Sequence, residues 1–278
     1  MTLEKAADPE DLIIQNLHIT SKRIFLGKLV IYSLTAIFLL IIIAVTMFLT
    51  RYKNSIDYIE NSTLYLVISI ILSLFTLVVN KILVYSIPII TEFEKNHTFT
   101  DYETNVAFKI GITLFINSSI IPLLSIFFNN KQYFFKNSGL IETIWINWVL
   151  VAILPPIIEI VNPLYLLNKL KILWLECCSD EEQSDLAQID ANKLFEGIAI
   201  SLVDKYAELI SLLFFTAFYI SFIPIASVIT IIGLILFYFV NKYLLLFRYK
   251  KPFPIGYKIS TYSTALIGCG CSILYAVL

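Results

Sequence analysis

Apolar residues run through this chain in long blocks that alternate with short polar stretches, and the blocks set its architecture. Seven of them fall at about 26–50, 64–90, 105–128, 143–169, 196–221, 224–247 and 259–278. A helix rises 1.5 Å per residue, so ~20 mostly apolar residues cross a hydrocarbon core of ~30 Å. Each block meets that length. The pattern predicts an all-α, polytopic membrane protein of about seven transmembrane helices. It divides into an N-terminal tail, 1–25, and a membrane domain, 26–278.

Composition agrees. Hydrophobic residues make up 58% of the 278 residues and mean hydropathy is +0.82, against roughly 45–50% apolar in average globular chains. Outside the blocks no stretch is long enough to bury a soluble core. The start of the chain is too polar for a signal peptide, so the first span serves as an uncleaved signal-anchor.

Net charge, −1, says nothing about partners, but its distribution does. With a cytosolic N-terminus and alternating spans, 16 of the 20 basic residues lie on or near the inner side. Arg51, Lys53, Lys131 and Lys136 alone lie outside. That asymmetry fixes the expected orientation, and the plasma membrane is the expected location. Asn61-Ser62-Thr63 then falls in an outer loop as a glycosylation acceptor. Cys177-Cys178 follows the fourth span on the inner side, where palmitoylation is the functional reading and two unmodified thiols the bland one.

Several chemistries are excluded. The chain has no phosphate-binding glycine loop. Its two histidines, His18 and His97, are far apart, so a histidine metal site or catalytic triad is not credible. No enzyme, metal site or cofactor is expected. Basic patches interleaved with aromatics are missing, so nucleic acid is not expected as a partner. Lys250-Lys251 and their neighbours suit anionic lipid headgroups instead. Gly268-Cys269-Gly270-Cys271 reads as small-residue helix packing.

Candidate chemistry sits in three places. The third block holds Asn117, Ser118, Ser119 and Pro122, after an amphipathic stretch (91–109) expected to run along the inner surface. The fourth block contains Pro155, Pro156 and Pro163 with Glu159 and Asn162. Each proline lacks an N–H and crowds the carbonyl four residues back, which opens the carbonyls of Val151, Ala152 and Glu159. Open backbone at membrane depth is tolerated only against protein or a watery cavity. A carboxylate there costs ~2.5–3.5 kcal/mol on insertion scales, so it needs water or a partner. The fifth block puts Asp204 and Glu208 on one helix face, four residues apart. Lys205 points about 100° away from them. The functional reading is a cation path lined by Glu159, Asn162, Asp204, Glu208 and Asn117, hinged at Pro155, Pro156, Pro163 and Gly197. The bland reading pairs Glu159 with a lysine such as Lys81, places Asp204 and Glu208 near the inner headgroups, and makes the prolines packing kinks.

Three local patterns carry a family resemblance. Pro9 to Leu17 resembles the P-x-[DN]-I-x-W-x-N-L segment of OSCA-type channels, with Ile14 where that family has Trp. Phe93-Glu94-Lys95-Asn96-His97-Thr98 resembles its F-E-x-H-x-T segment. Asn241 to Tyr249 resembles its K-Y-x-L-x-Y ending. The match covers about residues 9–278 and lies within the anoctamin-like superfamily. It implies a tension- or osmolality-gated, calcium-permeable cation channel passing calcium, potassium and sodium. The pore would run inside each subunit, with the gate on the helix matching 143–169. Members generally have about 11 spans, so the chain resembles the pore domain alone, in a homodimer or with a separate N-terminal half. The alternatives are an anoctamin-like lipid scramblase or calcium-activated channel, and a non-conducting half-subunit.

Overall fold

A computed structural model describes residues 9–54, 62–129, 140–178, 198–221, 223–250 and 258–277, with isolated positions at 188, 192 and 195. The described chain is almost wholly helical: α1 (Ser21–Asn54), α2 (Ser62–Thr91), α3 (Phe99–Phe115), α4 (Ile121–Asn129), α5 (Leu140–Val161), α6 (Pro163–Cys178), α7 (Leu202–Tyr219), α8 (Ala226–Phe247) and α9 (Lys258–Val277). A π-helical turn, Ile116–Ile120, joins α3 to α4. Among the described residues, five units are long and apolar enough to cross a membrane: α1, α2, α3 with α4, α5 with α6, and α8. The helices α7 and α9 complete the bundle. The protein is an all-α polytopic membrane protein.

The centre of the bundle is the α3–α7 pair. Both helices are mostly buried, and they approach closely through small residues. Ala107 and Ala207 are fully buried, and a side chain on Gly111 would meet Ile210. Without a hydrophobic drive between helices in lipid, this close fit supplies the attraction. A second cluster gathers Trp148 of α5 with Phe215 and Tyr219 of α7. Trp148 donates its indole N–H to Thr230 on α8 at 3.1 Å. By contrast α1 turns most of its apolar side chains outward, as lipid-facing surface requires.

Three boundaries differ from the sequence expectation. The stretch 91–109 is not a surface helix. A 3-10 turn, Glu92–Glu94, and a left-handed Lys95 (φ 56°) reverse the chain, and α3 starts at Phe99. Thr98 caps it, its hydroxyl accepting from the Asp101 amide at 3.1 Å. Burial inside the turn explains the difference: Lys109 pairs with Glu94, both inaccessible. The helix of the fifth block begins only at Leu202. Ser201 caps it, and Ile198–Ala199 form a two-residue parallel ladder with Tyr249–Lys250. The fourth block, finally, is two helices.

Two of the three resemblance segments touch. The Asp11 carboxylate accepts the Thr100 amide and hydroxyl, each at 2.8 Å. Ile13 donates its amide to the His97 carbonyl at 2.9 Å, and Asn16 its side-chain amide to the Asn96 carbonyl at 2.9 Å. The N-terminal segment is thus stapled to the α2–α3 reversal.

Candidate functional site

The prolines act differently from one another. Pro155 and Pro156 remain inside continuous α5; the break comes at Asn162, with φ 20°, and Pro163 opens α6. The expected loss of straightness therefore concentrates at one point. The carbonyl that Pro156 strips of its donor is that of Ala152. Gly233 of α8 stands against it, so close that a side chain there would lie 3.1 Å from this oxygen. Backbone of α8 covers this opening. At the break, Asn162 donates its amide to Ile158 at 2.8 Å and its side-chain oxygen accepts the Tyr165 amide at 3.4 Å. Arg248, at the end of α8, donates to the Ile160 carbonyl and stacks over Tyr165 at 4.3 Å. A side chain from another helix thereby occupies one of the carbonyls freed at the break.

Beside the break lie five charges. Lys205 of α7 reaches across to Glu159 of α5. Lys81 of α2 pairs with Glu208 of α7 at 3.3 Å. Asp204, one turn before Glu208, interacts with both lysines, and its backbone amide is held by the Ser201 hydroxyl at 3.3 Å. The lysine of the bland reading is therefore Lys205, which sequence reasoning considered only within its own helix, while Lys81 goes to Glu208. With the Arg248 guanidinium at the same break, three carboxylates face three cationic groups. One oxygen each of Glu159 and Glu208, and the amide oxygen of Asn241, are buried without a hydrogen-bond partner.

A cavity of about 70 Å³ adjoins this cluster, lined by Asn80, Lys81, Pro155, Pro156, Glu208 and Gly233 among others. A water needs ~10–15 Å³ of such space, so it has room for a few. Glu159 and Asp204 do not line it. Asn117 lies deeper, in the π-turn. It donates to the Asn80 side chain at 2.7 Å and the Thr76 carbonyl at 3.3 Å, and so touches the cavity through Asn80. Asn147 of α5 donates to the Ser118 carbonyl at 2.8 Å, and Tyr219 to that of Ser119 at 2.7 Å. Carbonyls loosened by the π-turn thus receive donors from α5 and α7, a device common at functional sites. Asn80, Lys205 and Arg248 were the residues missed. The one available signal was a basic or amide side chain in an otherwise apolar helix.

Asn61 and Gly197 lie outside the described residues. Cys177 and Cys178 end α6. Gly270 packs on Phe214, whereas Gly268 meets nothing within 4 Å, so only half of that small-residue motif is an interface.

The site is thus an α-helical membrane bundle in which one helix breaks beside paired charges and a small polar-edged cavity. Residues 7–266 match the family described as "Anoctamin: Calcium-activated chloride channel", and the chain belongs to the anoctamin family. No curated protein matches the chain. Membership carries a channel- or scramblase-like function in the broad sense.

Calcium, which the family's description names, does not fit these side chains. It takes 6–8 oxygens, several of them carboxylate. Here Lys205 and Lys81 occupy the carboxylates. No group of three or more acidic, His or Cys residues among the described residues is arranged to hold a metal.

Proposed function

We propose that the chain is a mechanically or osmotically gated cation channel of the OSCA type, conducting potassium, sodium and calcium through the α2–α3–α5–α7 region. The observation that carries this reading is the cluster of three carboxylates at the helix break, two of them with a buried unpartnered oxygen, adjoining a small cavity. Carboxylate oxygens left unpartnered in a low-dielectric wall attract cations rather than anions, which favours cations over the chloride of the family description. Asn162 and Pro163 supply the hinge, with Pro155, Pro156 and Gly197 as further candidates. Glu159, Asp204, Glu208, Asn162 and Asn117 are the proposed path.

Gating follows from area. Bilayer tension favours whichever state occupies more membrane, and the population shifts by the work done. A hinge held by two cross-helix contacts, Arg248–Ile160 and Lys205–Glu159, is a two-position element of the kind this requires. On this reading the N-terminus is cytosolic, the membrane is the plasma membrane, Asn61 is available for glycosylation and Cys177-Cys178 for acylation. Membrane lipids surround the bundle, as a homodimer or with an N-terminal partner.

Reconstitution into liposomes and patch recording under graded suction test the proposal. Under a potassium chloride gradient, stretch-evoked currents that reverse nearer the potassium than the chloride potential support it. Silence at every tension removes it. Headgroup-labelled lipid crossing the same bilayers without current would give the scramblase reading instead.

A further inference from the structure

We infer that the cleft between α1, α3 and α9 seats one membrane phospholipid, with the Lys28 ammonium on its phosphate and an acyl chain along Phe108 and Leu266. The inference does not depend on what the protein conducts.

The three helices start at one end of the bundle. Lys258, the first residue of α9, donates to the Asp101 carboxylate in the first turn of α3 at 3.2 Å. Ser21, the first residue of α1, lines the same cleft as Asp101. The cleft encloses about 710 Å³, within the ~300–1,000 Å³ usual for ligand sites. Residues four or seven apart share a helix face. Ser21, Lys28 and Tyr32 therefore give the cleft one wall, and Asp101, Asn105 and Phe108 another. The lining changes with depth. Hydroxyls, amides and charges stand near the helix starts, while Phe108, Ala265 and Leu266, further along their helices, are apolar. Lys28 lies two turns into α1, but a helical side chain leans back toward its own N-terminus, and a lysine stem is long enough to bring its charge to the polar end. A polar mouth above an oily floor fits a phospholipid, whose phosphate and acyl chain meet at just such a boundary.

One positive charge in the cleft is unspent. Asp101 is taken by Lys258. Behind the wall the buried Lys109 pairs with Glu94 and stands 5.4 Å from the Tyr32 ring. Asn96 donates to Glu94 at 3.4 Å and Asn105 to Asn96 at 3.2 Å, so these amides are engaged as well. His97 has one ring nitrogen on the Ile19 carbonyl at 2.9 Å. Lys28 forms no ion pair among the described residues. It is half-buried, and it repels Lys109. An anion beside Lys28 answers both conditions. Lysine binds phosphate as a point charge, and the Ser21 and Tyr32 hydroxyls in the same cleft are further donors. The apolar walls separate a phospholipid from a soluble phosphate ester, which has no chain to cover them.

Native mass spectrometry of the detergent-solubilised protein, titrated with phosphatidylglycerol, diacylglycerol or glycerol 3-phosphate, tests this. Wild type is expected to retain one phosphatidylglycerol tightly and neither of the other two. Lys28→Met should weaken that first binding event about fivefold, the weight of one basic group against an anionic headgroup, and Lys28→Arg should keep it. Lys22→Met removes an exposed lysine of the same helix end that does not line the cleft, and it should bind as wild type does. Ala265→Trp keeps every charge but fills the cleft; it should also displace the lipid, and it carries the test should Lys28→Met fail to fold. Glycerol 3-phosphate binding as tightly as the lipid would overturn the phospholipid in favour of a soluble phosphate ester. Equal retention of diacylglycerol, equal losses in Lys22→Met and Lys28→Met, or unchanged binding in Ala265→Trp would overturn the site.

Discussion

Lys205 leaves its own helix to neutralise Glu159 on α5, although Asp204 and Glu208 are its neighbours in sequence. The side chains are only 12% and 17% exposed, so the pair is protected from screening. Removing one partner strands the other. A double-mutant cycle with Lys205→Met and Glu159→Gln should give single costs of about 1–3 kcal/mol each. The double variant should cost clearly less than their sum, by a coupling of ~0.5–3 kcal/mol. Chemical unfolding in detergent measures it; additive costs would mean the contact is idle. In recordings, Glu159→Gln should also weaken cation selectivity, and an unchanged reversal potential would remove Glu159 from the path.

Gly233 and Gly268 should respond oppositely to the same substitution. A side chain on Gly233 would stand 3.0 Å from the Ala152 Cβ and 3.1 Å from its carbonyl oxygen, with backbone that cannot swing aside. Gly233→Ala should cost about 1–3 kcal/mol, the usual range for overpacking. Gly268 faces open space, so Gly268→Ala should be neutral or stabilise by up to ~1 kcal/mol, as alanine favours helix. Thermal midpoints decide.

The π-turn separates satisfied from unsatisfied polar groups. Asn117→Leu removes the donor that Asn80 and Thr76 accept from and should cost ~1–3 kcal/mol, because buried acceptors are left bare. Ser119 has a buried hydroxyl with no partner. Ser119→Ala should therefore be neutral or mildly stabilising. Equal losses in the two variants would contradict the assignment.

Arg248→Met should loosen the helix break. The guanidinium both donates to Ile160 and stacks on Tyr165, a combination that lysine cannot reproduce. Faster amide exchange across 164–167 in both Arg248→Met and Arg248→Lys is the expected result, with α3 unchanged. In recordings the variants should open at lower tension.

Tyr249, in the short ladder after α8, gives a prediction at alkaline pH. Burial, and then the charges of Glu159 and Glu208, push its phenol up to about 12 from the ordinary 10, while Arg248 opposes them. Below pH 10 the group is neutral folded or unfolded. Between 10 and 12 the unfolded chain ionises and the folded one does not, so stability falls as pH rises through that window. Phenolate absorbance should lose a late-titrating component near pH 12 in Tyr249→Phe.

The resemblance segments gain a physical meaning from the fold. Asp11 and Asn16 serve as clasps on Thr100 and Asn96, and Arg248 serves as a cap on the broken helix. Their spacing in sequence, 9–17, 93–98 and 241–249, gave no hint that the first two are in contact. The amphipathic look of 91–109 misled because Glu94 and Lys109 neutralise each other out of solvent, which a hydropathy pattern counts as surface.

By itself the sequence determined the membrane class and the place of the weak helix. Each follows from local terms: apolar length against bilayer thickness, and the missing N–H of proline. Tertiary structure alone decided that Pro155 and Pro156 stay helical while Asn162 breaks, because Gly233 covers one freed carbonyl and Arg248 takes another. It decided too that Glu159 belongs to Lys205 and Glu208 to Lys81. Charge pairing in a bundle depends on which faces of separate helices meet, and that depends on packing among α2, α5, α7 and α8 that no single helix encodes.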